Sequence, residues 1–487
     1  MKIGFDNDKY IRIQSEHIKE RIAQFRGKLY LELGGKLFDD HHASRVLPGF
    51  QPDSKLRMFS KISDQIEIVI VISAEDIEKN KVRADLGITY DEDVLRLREE
   101  FRNRGFFVGS VVITHYNGQH AADAFRQRLK RMDIKSYVHY LIDGYPHNVE
   151  LIASDEGFGK NDYVETERPL VIVTAPGPGS GKMAVCLSQL YNEHKRGVEA
   201  GYAKFETFPV WNLPLKHPVN IAYEAATADL NDVNMIDPFH LEAYNKIAVN
   251  YNRDIEIFPV LNALFEGIYG TNPYKSPTDM GVNMVGFCIS DDNACCEASK
   301  DEIIRRYYDA TNKFADGADN ESEVQKIQLL FNQAKITTAT RKVTTVAKQR
   351  KQETGTPCAV IELADGTMIT SKSTDLLGPS AALLLNATKH LAGIDHNVRL
   401  IPQNMIEPIQ KTKINYLGGN NPRLHTDEVL VALSVLSQAD ENCRKALSQL
   451  PALRGCQVHS TVMLSEVDHK IFKKLGIGLT CEPVKKK

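Results

Sequence analysis

The stretch Pro169-Leu-Val-Ile-Val-Thr-Ala-Pro-Gly-Pro-Gly-Ser-Gly-Lys182-Met-Ala-Val-Cys-Leu-Ser-Gln-Leu190 decides how the first half of the chain is interpreted. Its apolar run, Leu170 to Val173, predicts a buried parallel strand. Glycines and prolines interrupt that run, and apolar residues then recur at helical spacing from Met183 to Tyr191. The sequence therefore predicts a strand, a glycine-rich loop and a helix, in that order.

This order of elements is typical of a loop that binds phosphate. Glycines let backbone N–H groups converge on an anion, the following helix directs the positive end of its dipole towards it, and a lysine supplies a cation. The candidate phosphate-binding residues are Gly177, Gly179, Ser180, Gly181 and Lys182.

The loop departs from the pattern G-x-x-x-x-G-K-[ST] at two positions. Pro176 occupies the first glycine position, and Met183 replaces the hydroxyl residue that normally binds magnesium. A nucleotide would therefore need another anchor for its metal ion. Two other interpretations stay open: a site for a phosphorylated substrate without a nucleotide, and a tight turn whose glycines only permit close packing while Lys182 is solvated.

Length and composition restrict the class of protein. The 487 residues exceed what one hydrophobic core usually supports, so two or three domains are expected. A net charge of −3 argues against a nucleic-acid partner, and no apolar stretch approaches the ~18 residues of a membrane-spanning helix. The chain is large and its eight cysteines form no C-x-x-C pair, so we expect reduced thiols. The first ten residues are too acidic and too poor in apolar residues for a signal peptide, which together with the missing spanning stretch predicts a cytoplasmic protein with no membrane partner.

Strand-like and helix-like segments alternate through the first two thirds of the chain. This alternation predicts an α/β fold with a mainly parallel, P-loop-like or Rossmann-like N-terminal sheet. The predicted strands are 28–33, 66–72, 107–114, 137–142, 170–174, 219–223 and 284–289, and the predicted helices are 15–25, 90–104, 119–132 and 183–196.

The chain is divided by changes in this pattern. The predicted parts are an α/β phosphate-binding domain (1–228) to which a strand at 282–291 returns, a mostly helical subdomain (229–335), a linker (336–357) and a C-terminal α/β subdomain (358–487). In the last part, Asp365-Gly366 between two alternating runs predicts a β-hairpin. The further predicted elements there are helices at 379–391, 426–436 and 441–449 and strands at 398–401 and 458–463.

Two aspartates are candidates for holding magnesium beside a nucleotide. Asp143 follows the predicted strand 137–142, and Asp291 follows the predicted strand 284–289. Open α/β sheets bind ligands outside the carboxyl ends of their strands, where such residues lie. Asp143 is the nearer of the two to the glycine loop in sequence. Aspartate also commonly begins a turn after a strand, which is the alternative for both.

A second glycine- and proline-rich segment, residues 269–283, is a candidate for binding a second substrate. Its polar side chains Asn272, Lys275 and Asp279 are the candidate contacts, because a rigid loop fixes hydrogen-bonding groups without further ordering. The alternative is a loop shaped only by its own turns.

Adjacent histidines follow the first predicted strand. Either His41 or His42 is a candidate general acid or base, alongside Lys182 and Lys275 as catalytic candidates. Adjacent side chains point in different directions on most backbones, so their spacing does not favour a shared metal ion. The alternative for both histidines is a plain surface or core role.

Three motifs together carry a family resemblance: Glu32-Leu-Gly-Gly-Lys-Leu-Phe-Asp-Asp-His-His42, Ala175-Pro-Gly-Pro-Gly-Ser-Gly-Lys-Met183 and Asn272-Pro-Tyr-Lys-Ser-Pro-Thr-Asp-Met-Gly281. The chain resembles, over nearly its whole length, the uncharacterised bacterial protein family 0371, also called the domain of unknown function 1846 family. The resemblance implies a cytoplasmic protein with a P-loop-like N-terminal part, a helical middle and a C-terminal subdomain similar in topology to cytidine deaminases.

The sequence lacks the zinc-binding motifs of two classes of enzyme, the zinc proteases and the zinc deaminases. Some members of the family carry the label of an ATP-dependent zinc protease, but the sequence has no H-E-x-x-H helix. It also lacks the H-x-E and P-C-x-x-C motifs that assemble the zinc site of deaminases. The resemblance therefore implies an architecture and leaves the reaction open.

The sequence favours an enzyme that binds a nucleotide, such as ATP with magnesium, or another small phosphorylated ligand at the glycine loop. The alternatives are a non-catalytic ligand-binding or assembly protein and an enzyme that acts on a phosphorylated substrate without a nucleotide. A metabolic enzyme of this size is commonly a homo-oligomer, which is the expectation here.

Overall fold

The computed structural model describes residues 2–25, 27–35, 37–38, 40–83, 86–230 and 232–483, apart from the side chain of Ile268. Lys36 and Asp39 of the first family motif and residues 1 and 484–487 of the predicted outer domains lie outside these ranges. Within the described residues, no helix is both long enough and apolar enough to cross a membrane.

The helices, numbered in chain order, are α1 Asn7–Gln24, α2 His41–Val46, α3 Ser54–Ser60, α4 Ala74–Glu78, α5 Tyr90–Asn103, α6 His120–Arg131, α7 Val149–Ile152, α8 Lys182–Lys195, α9 Pro218–Ala226, α10 Pro238–Tyr244, α11 Asn252–Tyr269, α12 Pro277–Met280, α13 Asp292–Ala315, α14 Glu321–Ala334, α15 Lys342–Thr354, α16 Pro379–Leu391, α17 Gln403–Asn415, α18 Thr426–Leu436, α19 Glu441–Leu447 and α20 Glu466–Lys474. The strands are β1 Lys28–Leu33, β2 Ile66–Ser73, β3 Val82–Arg83, β4 Ile88–Thr89, β5 Phe107–Tyr116, β6 Ser136–Tyr140, β7 Leu170–Thr174, β8 Ala200–Phe205, β9 Asn234–Ile236, β10 Val249–Tyr251, β11 Gly281–Val282, β12 Cys358–Glu362, β13 Met368–Lys372, β14 Gln457–Ser460 and β15 Gly478–Cys481.

A central sheet of seven strands confirms the predicted α/β class. Its order is β11-β8-β1-β7-β2-β5-β6, and every pairing in it is parallel. Strand β7 lies in the interior of the sheet, with Leu170 opposite Leu29 of β1 and Ile66 of β2. All of its residues are buried, as its continuous apolar sequence predicts for a parallel strand covered on both faces.

The connections leaving β1 and β7 run in opposite directions along the sheet. The chain goes from β1 to β2 past β7, and from β7 to β8 past β1. Because crossovers between parallel strands are right-handed, these two connections lie on opposite faces of the sheet. A crevice is expected outside the carboxyl ends of two such neighbours, and open α/β sheets bind their ligands at this position.

Helix α8 is held against the sheet by its apolar face. Val185, Leu187 and Leu190 are buried in one cluster with Tyr30 of β1 and Val171 of β7. Burial of each aliphatic side chain of this size stabilises the fold by roughly 1.5–3 kcal/mol. The start of α8, and with it the glycine loop, is therefore fixed relative to the ends of β1 and β7.

The chain folds into two compact units. The first comprises Lys2–Glu224 and Asp232–Cys296, and the second comprises Ala225–Asn231 and Glu297–Lys487. The second unit contains a mixed sheet of order β13-β12-β14-β15, in which β12 and β13 form the predicted hairpin. Helix α15, within the segment predicted as a linker, packs Val343 and Ala347 against Val360 of this sheet.

Three sequence-based assignments were wrong, and one strand of the central sheet was missed. The segment 219–223 lies in α9, because Pro218 is placed to start a helix and a short apolar run suits a buried helix as well as a strand. The segment 284–289 forms a 3₁₀ turn at Val285–Cys288, and the strand that joins the sheet is the preceding β11. No strand forms at 398–401, and β8 was not predicted.

Candidate functional site

The glycine loop lies at the carboxyl end of β7 and leads directly into α8. Gly179 and Gly181 have φ angles of +72° and +82°, in the left-handed region that glycine adopts without strain, and Gly181 caps the helix. Within the described chain, no backbone N–H from Gly177 to Ala184 donates a hydrogen bond to another residue. The loop therefore presents a group of unused donors at the positive end of a helix dipole.

Neighbouring elements fix the shape of the loop. The Thr114 hydroxyl, at the end of β5, donates to the Ser180 carbonyl over 2.7 Å, and the Ser180 hydroxyl donates to the Gly177 carbonyl over 3.2 Å. A Cβ atom on Gly177 would lie 2.4 Å from the Tyr90 hydroxyl oxygen. The absence of a side chain at this position is what allows the close approach of α5.

Lys182 provides a cation at the first residue of α8. Its ammonium group makes no hydrogen bond or ion pair with any residue that the structure describes. Burial lowers the pKa of Lys182, and the charges of Lys204 and Arg253 lower it further, while Glu32 acts in the opposite direction. Lys182 is thus a desolvated cation in an environment of mixed charge.

Glu32, near the end of β1, is the carboxylate whose charge acts on Lys182. It is only 7 % exposed, and one of its oxygens accepts a 2.7 Å hydrogen bond from the Tyr202 hydroxyl. Glu32 raises the pKa of both Lys182 and Lys204. The strand next to the glycine loop therefore contributes a buried carboxylate to the same edge of the sheet.

A second lysine at this edge is fully paired. The Lys204 ammonium, near the end of β8, lies 2.6 Å from both carboxylate oxygens of Asp254 and 2.9 Å from Glu206, and it also contacts the Tyr251 hydroxyl. Burial alone would lower the pKa of Lys204, but Asp254 and Glu206 raise it above its ordinary value. Burial also raises the pKa of Glu206 to about 7.

Neither aspartate predicted to hold magnesium is brought to the glycine loop by its described contacts. Asp143 is exposed in the turn after β6, an edge strand that is separated from β7 by β2 and β5. Asp291 precedes α13 and accepts a 3.1 Å hydrogen bond from the Ala294 N–H. The carboxylate that the structure does bring close to Lys182 is Glu32, at the end of β1, and the magnesium role of Asp143 and Asp291 stays a prediction.

The segment 269–283 uses its polar groups within itself and on its neighbours. Asn272 accepts from the Tyr274 N–H and donates to Asn262, both over 2.8 Å. Asp279 accepts from the Tyr244 hydroxyl over 2.8 Å and from the Lys275 N–H over 3.0 Å. The Lys275 ammonium lies 5.7 Å from the centre of the Tyr244 ring. These contacts build a hydrogen-bonded loop and connect none of the three candidates to the glycine loop.

The two adjacent histidines occupy different environments on α2. His41 is exposed, whereas the His42 ring packs against the rings of Phe208 and Tyr223 with centroid separations of 5.1 and 6.3 Å. The preceding Asp40 caps the helix by accepting from the Ala43 N–H. The two candidate general acids or bases therefore lie in different surroundings, one in solvent and one among aromatic rings.

Sequence reasoning missed the charged residues that accompany Lys182, which are Glu32, Lys204, Glu206 and Asp254. Two of them carried a signal, because Glu32 interrupts the apolar run of β1 and Lys204 the less apolar run of β8. A charged residue within a buried strand needs a partner, and it marks a site when the strand end is a ligand position. Asp254, 50 residues after Lys204, is connected to it only by the fold.

The fold and this edge of the sheet define a class of α/β protein in which a glycine loop and buried charged side chains meet at the carboxyl ends of parallel strands. Family models place the chain more narrowly: the N-terminal model of the domain of unknown function DUF1846 matches residues 3–335, and its C-terminal model matches residues 339–487. The chain belongs to this family.

Relatives match over almost their whole length. The UPF0371 protein of Corynebacterium urealyticum is 58% identical over 482 residues, which are 99% of this chain and 97% of the relative. UPF0371 proteins of Streptococcus sanguinis and Streptococcus uberis are 56% and 55% identical over 483 residues, covering 99% of this chain and 98% of each relative. The predicted family resemblance is confirmed.

Proposed function

We propose that this protein is an enzyme that binds a small phosphorylated molecule at Gly177–Lys182 and acts on it with side chains at the same edge of the sheet. The observation that carries the proposal is the combination of unused backbone donors with the unpaired ammonium of Lys182. Either feature alone is common at a helix end. Together they supply the N–H groups and the positive charge that a phosphate requires.

The electrostatics of Lys182 support an anionic ligand. Removing an ammonium from water without a partner costs free energy, and the lowered pKa of Lys182 reflects this cost. A phosphate bound at the loop would give the ammonium its counter-charge. Arg253, whose charge also acts on Lys182, is itself paired with Asp232 over 2.7 and 2.8 Å, so Lys182 is the cation proposed to meet the ligand. A cation kept in this state is better explained by a ligand than by a contribution to stability.

Proton transfer at this edge would fall to Glu206. The raised pKa of Glu206, about 7, lets its carboxyl group both donate and accept a proton near neutral pH. Lys182 would stabilise negative charge on a bound or transferring phosphoryl group. The proposed roles are thus charge stabilisation for Lys182 and acid–base chemistry for Glu206.

A substrate that carries its own phosphate is favoured over a nucleotide with magnesium. Met183, at the position of the usual magnesium-binding hydroxyl, packs against the hydrophobic core of the first unit, and Pro176 is buried. If a nucleotide binds, Glu32 is the carboxylate placed to hold magnesium, directly or through water. A non-catalytic ligand-binding protein is the other alternative, and substrate turnover separates it from both.

Calorimetric titration tests the proposal with sulfate, inorganic phosphate, and ATP or GTP with and without magnesium. We expect phosphate-containing ligands to bind wild type and to lose at least about tenfold in affinity, or ~1.4 kcal/mol, in Lys182→Met. Lys275→Met, which removes an exposed ammonium from the segment 269–283, is the matched control and should bind as wild type does.

The pattern of ligands distinguishes the alternatives. Binding of ATP that requires magnesium and is lost in Glu32→Gln supports the nucleotide, whereas metal-independent binding of phosphate supports a phosphorylated metabolite. Equal affinities in wild type and Lys182→Met, or no binding of any anion by either, would refute the proposed site.

A further inference from the structure

Three potential metal ligands that the proposed phosphate site does not use come together on the first unit. His217 lies immediately before α9, and Asp292 and Cys296 lie one turn apart at the start of α13. One ligand atom of each residue can be chosen so that all three atoms lie within 4.8 Å of one another. Because His217 and Asp292 are 75 residues apart in sequence, no short sequence motif predicts this cluster.

The distances among these atoms suit a single small ion. The Nε2 atom of His217 lies 3.0 Å from an Asp292 oxygen and 3.5 Å from the Cys296 Sγ, and the Sγ lies 3.7 Å from the other Asp292 oxygen. Zinc bonds of about 2.0–2.3 Å in a tetrahedron separate neighbouring ligand atoms by about 3.3–3.6 Å. The three side chains therefore need only small adjustments to surround one ion.

We propose that His217, Asp292 and Cys296 form a binding site for a zinc-class transition-metal ion with one coordination position open to solvent. An imidazole nitrogen, a thiolate and a carboxylate are the ligands that zinc and cobalt accept, whereas magnesium and calcium require oxygen ligands. The Asp292 side chain is 60% exposed and the His217 side chain 10%, so the ion would be held on a fixed imidazole and reached from solvent.

Metal binding exchanges protons for the ion in a defined way. Without metal, the Val219 N–H donates to the Nδ1 of His217 over 3.3 Å, so the imidazole proton is on Nε2 and faces Asp292. Coordination through Nε2 moves that proton to Nδ1 and gives up the Val219 hydrogen bond. The Cys296 thiol releases its proton to solvent and binds as the thiolate.

Cobalt(II) is the diagnostic probe, because a thiolate bound to cobalt gives a near-ultraviolet charge-transfer band. We expect the full-length protein, stripped with chelator, to develop this band on titration with cobalt and to lose it in Cys296→Ser. The matched control is Cys295→Ser, which changes the adjacent thiol, whose Sγ contacts the Gly4 carbonyl at 3.3 Å instead. An unchanged band in Cys296→Ser, or no band in wild type, would overturn the site.

Zinc affinity, measured by competition with a chromophoric chelator, tests the other two ligands. His217→Asn and Asp292→Asn should each weaken zinc binding by about 100-fold or more. Loss of a residue that only hydrogen-bonds to a metal ligand already lowers metal affinity by about 10–100-fold. Asparagine at 217 keeps an acceptor for the Val219 N–H, and circular dichroism checks that each variant is folded. Wild-type affinity in both variants would place the metal elsewhere and refute the proposal.

Discussion

The glycine loop 177–182 and the segment 269–283 have similar compositions and opposite chemistry. Both are rich in glycine and proline and carry lysine and small polar residues. In the segment 269–283, Asn272 and Asp279 are bonded to neighbouring backbone and side-chain groups. In the glycine loop, the described backbone N–H groups and the Lys182 ammonium have no such partners.

Under the proposed function, this difference in hydrogen-bond partners is the property that separates the binding loop from the structural one. A loop whose donors and acceptors are satisfied internally gains nothing from a polar ligand, because each new bond would replace an old one. A loop that holds unused donors beside a desolvated cation gains the full interaction. The two loops have similar compositions, and only their hydrogen-bond partners distinguish them.

The largest change in the free energy of unfolding is expected when Lys204, the paired lysine at the sheet edge, is replaced. Lys204→Met leaves Asp254 and Glu206 as buried carboxylates without their counter-charge, so the free energy of unfolding should fall by about 3–5 kcal/mol in urea denaturation. Lys182→Met removes a cation that has no partner and should leave that free energy unchanged or slightly higher. Equal losses in the two variants would contradict the contrast between paired and unpaired cations.

The next largest change in the free energy of unfolding is expected from a substitution in the segment 269–283. Asp279→Ala removes the acceptor of the Tyr244 hydroxyl and of the Lys275 N–H, and it should lower the free energy of unfolding by about 2 kcal/mol. Sulfate affinity at the glycine loop should not change. Asp143→Ala, at an exposed aspartate, is the control and should stay within about 0.5 kcal/mol of wild type. Loss of sulfate binding in Asp279→Ala would give this segment a role in the ligand site.

The parallel sheet was predictable where strands are continuously apolar and where helices follow at clear spacing. Leu170–Thr174 and Ile66–Ser73 meet this condition and lie inside the sheet. Ala200–Phe205 was missed because Ala200, Gly201 and Ala203 lack the branched side chains typical of strands, and its place between two sheet neighbours is decided by tertiary contacts.

The candidate site was predictable only in the part that is local in sequence. The glycine loop and Lys182 are contiguous with β7 and α8, so periodicity alone locates them. Glu32 lies at the same edge because strand order places β1 beside β7, and its carboxylate is bonded to Tyr202. Asp254 lies there because its carboxylate is bonded to Lys204. Strand order depends on which surfaces pack together, and a single sequence does not contain that information in local form.

Backbone conformation offers a smaller test within the glycine loop. Gly181→Ala places an alanine at a φ of +82° with its Cβ 3.2 Å from Thr114, whose hydroxyl holds the Ser180 carbonyl. We expect the free energy of unfolding to fall by about 1 kcal/mol and sulfate binding to weaken, because the loop is displaced. Gly179→Ala, at a φ of +72° with open space around its Cβ, should lose stability without losing sulfate affinity. Equal sulfate affinities in both variants would show that the Thr114 contact does not shape the site.

The smallest effect is a dependence of sulfate affinity on pH that follows from the desolvated ammonium. Burial lowers the pKa of Lys182 below the ordinary 10.5, so its ammonium loses a proton at a pH where an exposed lysine keeps one. Sulfate stays doubly charged, so its affinity for wild type should fall as the pH rises through this lowered pKa. Lys182→Arg keeps its charge throughout and should show no such fall. A flat profile for wild type up to pH 10.5, with the protein folded by circular dichroism, would mean that the ammonium of Lys182 is not the group that holds the anion.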